Sequence, residues 1–224
     1  MRAHTAGYAT DPAFHRHWLG FSKESRDLRA QQLRCFAELV GSVTQSLADR
    51  HVLDVGCGDG RWLRTFLEFD AKAENLKGID VSDVRFDLAR GKNPLIVLRK
   101  TDGTTIPFED ERFDLVTQFV CFSSIPTESL RQSVAAEIRR VLKKGGFVFW
   151  WDVPVTVSPG ERGVRLQPSD LFDWPIRRLD IGPMPLPGEC VRPMKGLSRL
   201  LRPFIDLLAY PRTHVAALIG PKPS

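Results

Sequence analysis

No two cysteines of this sequence stand as a CxxC pair. The four it has, Cys35, Cys57, Cys121 and Cys190, are spaced for neither a zinc site nor a disulfide framework, so they read as free thiols and no metal is expected. No apolar run approaches the roughly 20 residues that a bilayer span requires. The opening MRAHTAGYATDPAFHRHW is broken by charges and histidines where a secretory signal would carry an apolar block. A cytoplasmic protein is expected. Internal repeats, low-complexity tracts and a long basic arm are missing too, which argues against a solenoid, a disordered linker and an added nucleic-acid module.

What is present fits one globular domain: 224 residues, 42% hydrophobic and 26% charged, enough to bury a sizeable core. The net charge is +5, and the stretch from Arg177 to Ser224 carries eight Lys or Arg against three acids, which accounts for the whole excess. Such a tail is either a solvated face or a surface for an anionic partner.

Short apolar runs alternate with stretches of helical period. HVLDVG (51–56), LKGIDV (76–81), LIVLRK (95–100), FDLVTQFV (113–120) and GFVFWWDV (146–153) have the length and composition of buried strands. GRWLRTFLEF and TESLRQSVAAEIRRVLKK repeat apolar residues at intervals of three and four, and Gly145 and Gly146 are expected to stop the second helix. Strand and helix in alternation predict a doubly wound α/β fold, a mostly parallel sheet with helices on both faces. The final RTHVAALIG reads as a further, antiparallel strand. The expected organisation is an N-terminal helical lid or substrate segment over 1–45, a ligand-binding core over 46–155, and a Pro-rich, basic completion of the sheet over 156–224.

The stretch VLDVGCGDGRWL (52–63) places Gly56, Gly58 and Gly60 between the first strand and its helix. A glycine-rich turn there lies at the carboxyl edge of the sheet, where bare backbone lets a nucleotide-like ligand approach. The spacing is GxGxG, and Arg61 stands where a dinucleotide fingerprint would need its third glycine.

These residues resemble the class I S-adenosylmethionine-dependent methyltransferases, in particular the small-molecule branch that includes quinone-biosynthesis enzymes. The resemblance covers roughly residues 50–155 and runs through four stations. LDVGCGDG resembles the first motif, implying that Asp54 closes the strand and that Gly56, Cys57, Gly58 and Gly60 wrap the methionine part of S-adenosylmethionine. GIDVS places Asp80, with Val81 behind it, where the family's acid accepts both ribose hydroxyls; a carboxylate has two oxygens to offer a vicinal diol. TDGTTIPFEDERFDLV implies Asp102 at the adenine amino group and Gly103 along the ring. RRVLKKGGFVFWWD matches the closing helix and fifth strand. Phe119, past the fourth strand, would lie beside the methionine portion. Asp54 also has a structural reading, as a hydrogen-bond acceptor for loop amides.

The resemblance implies methyl transfer, for which the protein mainly aligns an acceptor and excludes water. A base is needed where a hydroxyl is the acceptor. Many relatives carry a Glu-His or His-His pair after the fourth strand; this chain has Ser123 and Ser124 there, and serine is a poor base. Asp152 could serve or could cap a turn, His15 and His17 sit in the N-terminal segment, and His214 reads as structural. No catalytic base is assigned. Tyr8, Trp18, Trp151 and Asp152 are candidates for the acceptor pocket. GLSRLLRPFIDLLAYPR interleaves Arg199 and Arg202 with leucines, either as a docked helix or as a basic amphipathic contact with a membrane across 196–210. The expected activity is methylation, favouring oxygen, of a small-molecule, lipid or glycan acceptor, with no nucleic-acid partner; the alternatives are an RNA or protein methyltransferase and a non-catalytic cofactor-binding protein.

Overall fold

The computed structural model describes residues 23–156, 163–181 and 214–224. Tyr8, His15, His17, Trp18 and the stretch 196–210 lie outside them. The helices are α1 (Lys23–Gly41), α2 (Arg61–Leu67), α3 (Asp83–Lys92) and α4 (Glu128–Val141). The strands are β1 (Val52–Val55), β2 (Leu76–Asp80), β3 (Val97–Lys100), β4 (Phe113–Phe119), β5 (Leu142–Asp152), β6 (Ile176–Ile181) and β7 (His214–Ile219). The described strands form one sheet in the order β3-β2-β1-β4-β5-β7-β6. The first five run parallel, and β7 lies antiparallel between β5 and β6.

The central strands are buried on both sides, which is why they read as continuous apolar runs. On one face Val134, Ala135, Ile138 and Val141 of α4 pack with Leu53, Val116, Val148 and Trp150. On the other, Phe36 of α1 and Trp62, Leu63 and Phe66 of α2 pack with Val52, Leu115, Phe149 and Trp151. Phe36 contacts Trp62, Phe66, Phe69 and Phe149, with centroids between 5.1 and 5.7 Å apart, and so fixes α1 across α2 and β5.

Two local expectations are corrected. The glycine pair does not stop a helix: α4 ends at Val141, Leu142 is already extended and fully buried, and Gly145 and Gly146 lie inside β5. There the ladder against β4 shifts register, Gly145 takes a left-handed φ of 74°, and a Cβ on Gly146 would stand 3.0 Å from the Asp114 carbonyl. The pair therefore makes a bulge and a close approach. The second correction is at the ends of the strand order: β6 is not revealed by the sequence pattern, and β3, expected as a buried strand, has Val97, Arg99 and Lys100 exposed.

Candidate active site

In a parallel sheet the carboxyl ends of the strands share one edge, and β7, running the other way, brings its first residue there. Asp54 and Val55 of β1, Asp80 of β2, Phe119 of β4, Asp152 of β5 and His214 of β7 all stand along this edge.

The glycine loop is built from inside. The amides of Gly56 and Cys57 both donate to the Ile79 carbonyl at 2.9 Å, which folds the loop against β2. All three loop glycines have left-handed φ, 72°, 57° and 74° at Gly56, Gly58 and Gly60. Their surroundings differ. A Cβ on Gly56 would come within 2.8 Å of Cys121 Sγ, and one on Gly60 within 2.2 Å of Asn93 Nδ2; on Gly58 it would meet nothing within 4 Å. Gly56 and Gly60 are thus required by packing, whereas Gly58 is bare backbone beside open space. Cys57 is buried and contributes through its backbone, as its position suggests.

Asp80 is almost fully buried at the end of β2, and each of its oxygens is oriented by an amide: Gly58 N–H donates to Oδ2 and Ser82 N–H to Oδ1, both at 2.8 Å. A carboxylate oxygen has two lone pairs, so each retains one for a ligand hydroxyl. Val81, half-buried, follows it, and Ser82 caps α3 by accepting from Arg85 N–H. Beyond β3, Asp102 is exposed and accepts from both the amide and the hydroxyl of Thr104, which hold its carboxyl below the usual range; Gly103 beside it has a φ of 90°.

Asp54 is buried, and its partner is the Thr117 hydroxyl at 2.8 Å rather than a loop amide. Burial pushes its carboxyl up to about 7, the Thr117 bond opposing and the nearby Asp80 adding. Between the ordinary range and about 7 the folded protein holds a proton at Asp54 that the unfolded chain has shed, so this group makes stability fall as pH rises. His214, lowered to about 4 by burial, acts in the opposite sense below its unfolded value. The expected result is therefore a difference: Asp54→Asn gains stability relative to wild type as pH rises from about 5 towards about 7, by roughly 1.4 kcal/mol for each pH unit crossed, and the gain levels off above that. Thermal unfolding of both proteins across that range checks it; parallel curves would show that Asp54 is ionised throughout.

Chain reversal after β4 is strained. Val120, β-branched, has a φ of 55°, its amide donates to the Trp151 carbonyl at 2.7 Å, and Cys121 N–H donates to Gln118 Oε1 at 3.0 Å. Strain of this kind gathers at functional edges. Phe119 is half-buried and stacks on Trp62 with centroids 3.7 Å apart, and the Arg29 guanidinium covers Trp62 at 4.0 Å. Arg29 gives no signal in the sequence, because nothing distinguishes it from the other arginines of α1. Its Nη1 is buried without a partner, and burial with the nearby Arg61 lowers its pKa to about 10, which leaves it charged at neutral pH.

Trp151 and Asp152 are both fully buried. Asp152 accepts from the amides of Ser123 at 3.2 Å and Val153 at 2.9 Å, and burial raises its carboxyl to about 6. These two bonds are those of a turn cap, one of the two roles that the sequence offers Asp152. Trp151 points to the other face, with its indole nitrogen unpartnered.

Residues 52–146 match the profile of a family described as the methyltransferase domain. Among curated proteins, the tRNA (carboxymethyluridine(34)-5-O)-methyltransferase of Saccharomyces cerevisiae is 30% identical over 115 residues, 49% of this chain and 39% of its own. The phthiotriol/phenolphthiotriol dimycocerosates methyltransferase 1 of Mycobacterium ulcerans is 26% identical over 162 residues, 71% of this chain and 56% of its own. The chain thus spans about two-fifths to little more than half of these relatives' lengths. Among solved structures, a chain of the Haloferax volcanii complex between the Trm112 methyltransferase activator and a methyltransferase superposes with a TM-score of 0.69 at 16% identity, covering 99% of both chains. That likeness is one of fold, and the sheet described here is the mostly parallel, Rossmann-like sheet with an antiparallel final strand expected from the sequence.

Proposed function

We propose that this chain, which carries a methyltransferase domain over residues 52–146, is an S-adenosylmethionine-dependent enzyme that methylates a hydroxyl of a small-molecule, lipid or glycan acceptor. The observation that carries the reading is the pairing of Gly58 with Asp80. Open space lies over a left-handed glycine, next to a buried carboxylate whose two oxygens are each oriented by one amide and each keep a lone pair. A nucleoside with a vicinal diol suits that arrangement.

When bound, the cofactor supplies a methyl group already activated on a sulfonium. The protein's own residues do the rest. Asp80 receives the ribose hydroxyls, while Gly56, Cys57, Gly58 and Gly60 pass the backbone around the methionine part. Asp102, with Val81 and Gly103, flanks the adenine. Asp54 places a carboxyl that titrates near 7 beneath the loop, and a cationic ligand there favours its ionised form. Phe119, backed by Trp62, walls the methionine portion, and the unpaired Nη1 of Arg29 is available to its carboxylate. No described helix is long and apolar enough to cross a membrane.

The acceptor class is tested by incubating the protein with radiolabelled S-adenosylmethionine and a cell extract. Label is expected in the organic-soluble fraction. Label in tRNA would replace this acceptor with the class that the yeast relative's name describes, and no transfer into any fraction would leave a cofactor-binding protein.

A further inference from the structure

We infer that Trp151 and His214 together receive the acceptor's hydroxyl group, which donates its proton to His214 Nδ1 and accepts the indole N–H of Trp151. This rests on the methyltransferase reading above, and it reverses the structural role read for His214 from the sequence.

Several polar groups along the carboxyl edge are already committed, while Gln118 Nε2 and Ser123 Oγ, at and just after the end of β4, are buried without a partner. The Asp54 carboxyl is bonded to Thr117, Asp80 to the amides of Gly58 and Ser82, and Asp152, on the far face, to those of Ser123 and Val153. His214 Nδ1 and Trp151 Nε1 are likewise buried and without a hydrogen-bond partner. The residues are 7% and 0% exposed, so the two orphans stand inside the protein, where an unpaired polar atom is costly. They are also neighbours, the rings stacking at 5.2 Å with 28° between their planes.

The strands put this pair on the proper face. Phe119 pairs in register with Trp151, Trp151 pairs with Ala216, and alternation along β7 turns His214 to the same side as Ala216. That is the face of α1, Trp62 and Phe119, so the pair lies one strand beyond the wall assigned to the methionine portion.

The chemistry of the ligand follows from what the two atoms lack. An indole N–H needs a lone pair; an uncharged imidazole that carries its proton on Nε2, the tautomer assigned here to His214, needs a hydrogen at Nδ1. A hydroxyl supplies both at once. An ammonium has no lone pair for the indole, a carboxylate or phosphodiester has no proton for the imidazole, and a thioether has no proton to give. In the transfer the acceptor oxygen bonds to the methyl carbon as the S–C bond breaks, the electron pair stays on sulfur, and the hydroxyl proton moves to Nδ1, from which solvent later removes it.

The test needs no methyl transfer. Protein labelled with 15N and saturated with S-adenosylhomocysteine is titrated with phenol, with benzyl alcohol and with anisole, which lacks the hydroxyl. The Trp151 indole resonance is identified by its loss in Trp151→Phe. Phenol or benzyl alcohol is expected to shift it and anisole to leave it in place. His214→Leu should weaken binding of the alcohol by at least about fivefold, the value of one hydrogen bond. His214→Asn, whose amide oxygen offers an acceptor in place of Nδ1, should keep it, with cofactor affinity unchanged in both variants. Equal shifts from anisole, no shift from either hydroxyl probe, or full affinity in His214→Leu would overturn the inference; if that variant fails to fold, the probe comparison on wild type decides. A protein that binds the cofactor yet ignores both hydroxyl probes loses only this inference, whereas one that binds no cofactor loses the methyltransferase reading.

Discussion

Replacing Gly58 by valine should abolish binding of S-adenosylmethionine while leaving a cooperative unfolding transition. The residue has a φ of 57°, and a Cβ there would meet no protein atom within 4 Å. The fold therefore bears only the left-handed conformation, about 1–2 kcal/mol for an ordinary L-residue and somewhat more for a β-branched one. The ligand bears the whole bulk of the side chain. Gly56→Ala and Gly60→Ala make the contrast, because each methyl would overlap a protein atom, Cys121 Sγ at 2.8 Å or Asn93 Nδ2 at 2.2 Å. Both should lower the unfolding temperature. Calorimetry and thermal unfolding on the three variants separate the cases, and Gly58→Val that still binds would reduce the loop to a tight turn.

Asp80→Ala should weaken cofactor binding by at least about tenfold and by as much as about a hundredfold. The lower figure is the worth of charge-assisted hydrogen bonds to the ribose hydroxyls. The higher one arises because the same carboxylate takes the Gly58 and Ser82 amides, so its removal also releases the loop and the start of α3. Asp80→Asn tells these contributions apart, since its amide oxygen can still hold one amide while its NH2 cannot accept a hydroxyl. Wild-type affinity in Asp80→Ala would sink the ribose assignment.

Much of this edge can be read from the chain because its signals are local. Buried parallel strands are continuous apolar runs, so β1, β2, β4 and β5 are visible, and the GxGxG spacing with an acid at the end of β2 marks the loop and its partner. Other features depend on distant contacts. Nothing in GCGDG distinguishes Gly58 from its neighbours; that difference is made by Cys121 and Asn93. Ile176–Ile181, IRRLDI, has its charges in the middle and gives no clean alternation, and it becomes a strand only because β7 lies beside it. Asp54 reads as an acceptor for loop amides, but Thr117, which sits opposite it in register on β4, reaches it first. His214 reads as structural because it opens the final strand, and whether it has partners is written only in three dimensions.

The place of β7 in the sheet has a consequence for how the chain acquires its fold. Among the described strands β6 pairs with β7 alone, yet β7 enters 33 positions later and must slot between β6 and β5. Until His214–Ile219 has left the ribosome, β6 lacks the strand it pairs with among the described residues, and β5 presents a strongly apolar edge, FVFWW, a surface prone to pairing with other chains. The first five strands can assemble progressively as they are synthesised, but the last two join together or not at all, because the pairing between them waits for the far end of the intervening chain. Removal of the final 11 residues, His214 onward, would therefore cost the sheet two strands rather than one. It would also remove the imidazole from its place over Trp151.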